Sequence, residues 1–170
     1  MIQSINTHHL FHDELTTDFS SPAFQRAFQQ YFAELDIHVS DWEGLFREMN
    51  GGGNAAFVRT DSEGAVVGFL LSCPITFTSW FFEGTCGFIR EFWVADGFRA
   101  QGHGSALLRM AESHFLKTGV HTSILTTDTA PDFYKKHGYS PAPGCTAKNG
   151  DPVFIKWLSQ SAASLYSQHT

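Results

Sequence analysis

Seven consecutive residues, Arg99-Ala100-Gln101-Gly102-His103-Gly104-Ser105, carry the pattern in this chain most able to do chemistry. They separate a run that reads as a strand, Phe88 to Ala95, from one that reads as a helix, Gly104 to Lys117. A glycine-rich turn feeding a helix exposes backbone N–H groups at the positive end of the helix dipole, which makes an anion cradle. On the loop alone, a turn chosen for its conformation explains the glycines as well. Two nucleotide readings fail on residues. A dinucleotide fingerprint needs a small residue where the chain has Leu107, and no acidic ribose partner follows on a second parallel strand. A triphosphate loop needs Gly-Lys-Ser/Thr, and the chain has Gly104-Ser105-Ala106.

The elements that must position this loop follow from periodicity. Residues 2 to 5 read as a short first strand. Phe24, Ala27, Phe28, Tyr31, Phe32 and Leu35 repeat at helical spacing behind Pro22, which predicts a helix from Pro22 to Asp36. Ser40-Asp41-Trp42-Glu43 has the form of a capping box for a second helix, stopped by Gly51-Gly52-Gly53. A meander follows, with strands Ala55 to Thr60 and Ala65 to Ser72 around an Asp61–Gly64 turn. Pro74 interrupts that ladder and belongs at an edge, a bulge or a strand end. Ile75 to Phe82 either extends the strand or approaches a pocket, and Glu83-Gly84 is a turn. Thr85 to Ala95 is apolar on both faces apart from Arg90 and Glu91, as a central strand would be. After the loop come a helix with Leu107, Leu108, Ala111 and Phe115 inward, and a strand at His121 to Thr126. A short helix follows, capped by Asp128 or Thr129 with Pro131 in its first turn, and Val153 to Leu158 is a last strand. The fold class is α+β, or mixed α/β, around one sheet. Residues 1–158 form one domain and residues 159–170 a polar tail.

Composition excludes several classes. The chain has 170 residues, 42% hydrophobic and 15% aromatic, too apolar for a disordered segment. Its net charge is −6 with eleven Lys plus Arg and no basic cluster, which argues against a nucleic-acid partner. No apolar run reaches the ~18 residues of a membrane span, and Met1 to Ile5 lacks the features of a secretory signal. Cys73, Cys86 and Cys145 fit neither a disulfide framework nor a zinc site, so a cytoplasmic protein with reduced thiols and no metal is expected. His8, His9 and His12 read as a polar helical surface rather than metal ligands.

At this point the sequence resembles a known family, the GCN5-related N-acetyltransferases. Their signature is Gln or Arg, two residues, Gly, one residue, then Gly or Ala, filled here by Arg99, Gly102 and Gly104. Glu91-Phe92-Trp93-Val94 looks like that family's fourth strand. Ala130-Pro131-Asp132-Phe133-Tyr134-Lys135-Lys136-His137-Gly138-Tyr139 looks like its second motif. The resemblance spans roughly Ala55 to Leu158. It implies a central, mostly antiparallel twisted sheet of six to seven strands flanked by four helices, splayed at the fourth and fifth strands.

The resemblance also assigns roles. The amides of Gln101, Gly102, His103, Gly104 and Ser105 would hold the pyrophosphate of acetyl-coenzyme A beside Arg99, with Ser105 adding a hydroxyl. Backbone groups of Trp93 and Val94 would hold the pantetheine arm. An acceptor amine with a pKa of ~10.4 must lose a proton, which makes Glu91 the candidate base. Tyr134 corresponds to the tyrosine that serves as general acid to the leaving thiolate. Where the family often has Asn, this chain has Thr127, so either a weaker hydroxyl bond or no contact stands there.

The implied activity is acetyl transfer to a primary amine of a small molecule. The alternatives are a protein or peptide amine, or a coenzyme-binding sensor without catalysis. Trp42, Phe46, Trp80, Phe81 and Phe82 could line an aromatic pocket for a cation, and the Phe-rich segment near Trp80 could equally bury a homodimer interface.

Overall fold

A computed structural model of the chain describes residues 10–78 and 83–159. Four helices flank one sheet. Helix α1 spans Pro22–Glu34 and starts where expected: Ser21 Oγ accepts from the Phe24 N–H, and Pro22 occupies the first helical position. It ends short of Asp36, whose φ of 57° has left the helical region. Helix α2 spans Trp42–Gly51 and is capped by Asp41, whose carboxylate accepts from the Gly44 N–H at 2.8 Å. The expected cap, Ser40, lies one residue too early, so Glu43 falls in the first turn and pairs with Arg47 instead of closing a capping box. Helix α3 spans His103–Lys117 and helix α4 spans Pro131–Lys136.

The strands are β1 (His12–Thr16), β2 (Ala55–Thr60), β3 (Val66–Thr78), β4 (Glu83–Val94), β5 (Thr122–Thr126), β6 (Ser140–Pro141) and β7 (Val153–Trp157). They form a seven-stranded sheet in the order β1-β2-β3-β4-β5-β7-β6, mostly antiparallel. The exception is β4 against β5, which pair in parallel through Gly87–Ser123 and Phe88–Ile124. Strand β4 runs six residues further, while β5 pairs with β7 along its full length. This is the mixed α/β architecture the residues implied, with strands four and five parting as the family resemblance implied.

Several local expectations need correction. His12 belongs to an edge strand, not to a helical surface. Its residues, His12-Asp13-Glu14-Leu15-Thr16, carry charge on an exposed ribbon and so lack an apolar alternation to read. Glu83-Gly84 is strand, not turn. Pro74 lies inside β3 rather than interrupting it. From the Asp61–Ala65 turn, the six residues of β2 run out opposite about Leu71, so Pro74 sits where that flank has no ladder to lose. In α4 the Ala130 N–H is taken by the Thr127 hydroxyl at 3.1 Å, not by Asp128 or Thr129. The strand expected at residues 2–5, His8 and His9, residues Trp80 to Phe82 and the tail from residue 160 lie outside the described residues.

The chain divides into two compact units, Met1–Leu70 with Phe92–Leu107, and Leu71–Glu91 with Leu108–Thr170. In the first, the aromatic face of α1 covers the sheet: Phe24 and Phe28 pack on Phe69 of β3 at 5.4 and 5.5 Å, and Phe46 of α2 packs on Phe28 at 5.8 Å. Each fully buried phenylalanine contributes roughly 1.5–3 kcal/mol. In the second, Phe115 of α3 lies so close to Gly87 that an added Cβ would meet its ring at 2.5 Å. Leu125, Tyr139 and Phe154 complete that core.

Candidate active site

The glycine loop is built by the exit of β4. The Ala95 N–H still bonds the Val67 carbonyl of β3, after which Asp96–Phe98 make one 3-10 turn. The Gln101 side chain closes that turn by donating to the Gly97 carbonyl at 2.9 Å. Gly102 then has φ 88°, a conformation in which a Cβ is strained, and its carbonyl accepts the Ala106 N–H at 3.0 Å. Nothing lies within 4 Å of a Cβ added at Gly102, so conformation, not crowding within the protein, requires this glycine. His103 and Gly104 open α3, where helix geometry leaves the first N–H groups without an acceptor inside the helix. Fifteen residues of aligned dipole stand behind them.

Arg99 does not extend toward solvent as an anion ligand. Its Nε donates to the Val94 carbonyl at 2.8 Å, Nη1 to Asp96 at 3.3 Å and Nη2 to Glu34 at 2.9 Å. The His103 side chain also turns inward. It is buried against Phe11 at 4.5 Å and Phe98 at 5.8 Å, and its Nδ1 lies 3.2 Å from Arg59 Nη1. Arg59 has only donors, so Nδ1 is the acceptor and the ring proton sits on Nε2. Burial, then the Arg59 charge, push the imidazole below its ordinary range, and Asp13 opposes them. Asp13 forks onto Arg59 with two bonds of 2.7 Å, and this pairing holds its carboxyl below the usual carboxylate range. Only the backbone of His103 is placed toward the cradle.

Trp93 and Val94 divide the work differently from the expectation. The Trp93 carbonyl lies against β3, 3.0 Å from where a Cβ on Gly68 would stand, and Ala95 bonds β3 as well. Alternation therefore turns Val94, and with it Phe92, to the other edge of β4. Trp93 is committed through its side chain too: its indole is buried on Phe69 at 5.7 Å and donates to Glu34 at 3.0 Å. The backbone of Trp93 is thus not on the edge away from β3, and Phe92 takes its place beside Val94. Alternation was legible in the sequence, but which parity faces β3 is fixed only by the Ala95–Val67 bond. Glu34, Arg59 and Asp13 were missed. Asp13 stands directly opposite Arg59 in the β1–β2 ladder, a cross-strand charge pair legible only once β1 is known.

The second unit holds Glu91, Thr127 and Tyr134. Glu91 is half-buried near the end of β4. Thr127 is buried, and accepting the Ala130 N–H makes it the organiser of the turn into α4. Tyr134 is 8% exposed, packed between Phe133 at 5.2 Å and Tyr139 at 5.7 Å. Burial pushes its phenol well above the ordinary value, so the group keeps its proton. Tyr139 anchors this corner by donating to the fully buried Ser123 hydroxyl at 2.8 Å, and Lys156 forks onto Glu112 at 2.8 and 3.0 Å.

Trp42 and Phe46 stack at 5.9 Å and 22° and line a cavity of about 470 Å³ with Phe19, Gln29, Glu43 and Arg47. Arg47 neutralises Glu43 at 3.0 Å, so this wall offers a cation aromatic faces rather than a lone carboxylate. Among the described residues, no group of three or more His, Cys, Asp or Glu could hold a metal ion, and no helix is long and apolar enough to cross a membrane.

A sequence profile described as the acetyltransferase (GNAT) family matches residues 10–139. No curated protein sequence matches the chain. Solved structures of similar fold include a putative GNAT-family acetyltransferase from Desulfovibrio desulfuricans, with TM-score 0.67 and 16% identity over 88% of this chain and 100% of that one. An aminoglycoside 6'-N-acetyltransferase complexed with coenzyme A has TM-score 0.67 and 16% identity over 89% of this chain and 98% of its own. NAA60 of Arabidopsis thaliana, in complex with a bisubstrate analogue, has TM-score 0.66 and 15% identity over 88% of this chain and 100% of its own. At these identities the likeness is one of fold, and with the profile match across the sheet and the loop, it places the chain in the acetyltransferase (GNAT) family.

Proposed function

We propose that the protein transfers an acetyl group from acetyl-coenzyme A to a primary amine of a small molecule. The observation that carries this reading is the Arg99–Ser105 loop, in which Gly102 at φ 88° leads into a fifteen-residue helix and its carbonyl accepts the Ala106 N–H. That cradle suits a pyrophosphate. The pantetheine arm would lie along the edge of β4 that bears Phe92 and Val94. The aminoglycoside enzyme of similar fold was solved with coenzyme A, which supports the choice of co-substrate.

The reaction joins the amine nitrogen to the acetyl carbon and breaks the carbon–sulfur bond. Glu91, or a water path to it, takes the amine proton. Tyr134 donates to the sulfur as it becomes a thiolate. A phenol pushed upward by burial is a weaker acid than a thiol of pKa ~8.5, so it serves as a hydrogen-bond donor that stabilises the thiolate. Attack is direct. Burial raises the thiols of Cys73 and Cys86, which disfavours the thiolate that an acyl-cysteine relay through either would require.

The test is release of free thiol from acetyl-coenzyme A across a panel of small amines and of peptides with free N-termini or lysines. Turnover with small amines supports the reading. Turnover confined to peptides moves the acceptor to a protein amine, and binding without turnover on any amine makes the chain a coenzyme-binding module.

A further inference from the structure

Glu34 is the last residue of α1, and its carboxylate stands at the negative end of that helix, where the dipole disfavours an anion. No basic residue in the last turn offsets it. What holds it there is a set of three donors. Oε2 accepts both the Trp93 indole N–H at 3.0 Å and Arg99 Nη2 at 2.9 Å, and Oε1 accepts from Gln30 at 3.3 Å. Arg99 in turn donates to the Val94 carbonyl and to Asp96. One carboxylate therefore ties the end of α1 to both the exit of β4 and the entrance of the glycine loop. The residues it joins are 59 and 65 positions away in the chain.

We propose that Glu34 is a positioning residue for coenzyme A: by fixing Trp93 and Arg99 it preforms the Val94 edge and the loop before the coenzyme arrives. This rests on the acetyltransferase reading above. A loop that is already ordered does not charge its ordering entropy against binding, so losing the tie weakens coenzyme binding more than it slows chemistry at Tyr134. Arg99 alone cannot replace it, because a guanidinium released from Glu34 keeps only the Val94 carbonyl and the exposed Asp96.

The experiment compares wild type, Glu34→Gln, Glu34→Ala and the control Glu48→Gln, which changes an exposed carboxylate on α2 outside both the loop and the cavity lining. Coenzyme A affinity is measured by calorimetry, KM for each substrate and kcat by thiol release, and folding by thermal melt. Glu34→Gln keeps the shape and one neutral acceptor. It should weaken coenzyme A about tenfold, as the loss of one charge-assisted bond would. KM for acetyl-coenzyme A should rise in step, with kcat and the amine KM within about twofold, since only ground-state organisation is removed. Glu34→Ala should weaken binding further and Glu48→Gln not at all. If wild type binds coenzyme A and both Glu34 variants bind it equally well, the positioning role is overturned while the acetyltransferase reading stands. A fall in apparent kcat in proportion to lost folded protein, with both KM values and the coenzyme affinity of the folded fraction unchanged, also overturns it, as a merely structural effect. If wild type itself does not bind coenzyme A, the functional reading fails and the inference with it.

Discussion

The region around the glycine loop and the region around Tyr134 are held by different physics. Around the glycine loop, charged groups carry the geometry: Arg99 bridges Glu34, Asp96 and Val94, and Arg59 links Asp13 to His103. Around Tyr134, neutral contacts stand out: Phe133 and Tyr139 packed edge-to-face on it, a buried Tyr139–Ser123 bond and, beside them, the Lys156–Glu112 ion pair. The contrast suits the tasks. A loop that must meet an anion gains from ordered charge, whereas a phenol that must keep its proton gains from burial. Binding should therefore respond to pH and charge, and the chemistry of the sulfur should respond to packing.

The largest test of this division is Tyr134→Phe. It should lower kcat by roughly a hundredfold, as loss of a proton-donating group does, while coenzyme A affinity stays nearly unchanged. An unaltered kcat would sink the role. Next in size, Tyr139→Phe strands the buried Ser123 hydroxyl and should cost about 1–2 kcal/mol of stability in urea unfolding, with little salt dependence. Marked salt dependence would break the neutral side of the comparison.

Of similar size, Gly102→Ala forces a Cβ onto φ 88° and should cost about 1–2 kcal/mol while weakening coenzyme A. Equal stability and affinity would show that the loop tolerates the strain.

The pH response should come from the loop side. The folded state holds the His103 imidazole below its ordinary value of 6.5, so it favours the neutral ring. Its contribution is fully present above the unfolded pKa and is lost as pH falls from there through the lowered folded value. Asp13, held below 3.8, keeps its contribution through that window and loses it only in stronger acid. Wild type should lose Tm between pH 7 and 5 more steeply than His103→Asn, and parallel curves would discard the assignment. Smallest of all, Arg47→Ala should cost no more than ~0.5 kcal/mol, because both partners of that pair are exposed, 72% and 88%.

How much of this was legible depended on range. The loop, α3 and the long β4 were read closely because each rests on local signals: glycines next to a helical stripe, and an apolar run. The Asp41 cap was missed by one residue because Ser40 and Asp41 are equally good caps, and only the Gly44 N–H distinguishes them. β1 went unread because a charged edge strand leaves no alternation. Pro74 looked like a break because the length of its neighbour β2, which decides what the missing N–H costs, is not a property of Pro74. Tyr134 was found by its motif, but its burial by Phe133 and Tyr139 came from the fold.

The amino-acid sequence by itself determined the glycine loop, the helix behind it and the family, since backbone conformation and dipole depend on adjacent residues. Tertiary structure alone decided that the Arg99 side chain is tied to Val94, Asp96 and Glu34, that Phe92 rather than Trp93 shares the Val94 edge, and that Glu34 joins Trp93 and Arg99. Those outcomes turn on which groups the sheet brings within hydrogen-bond distance across 59 and 65 residues of chain, and no local pattern encodes that distance.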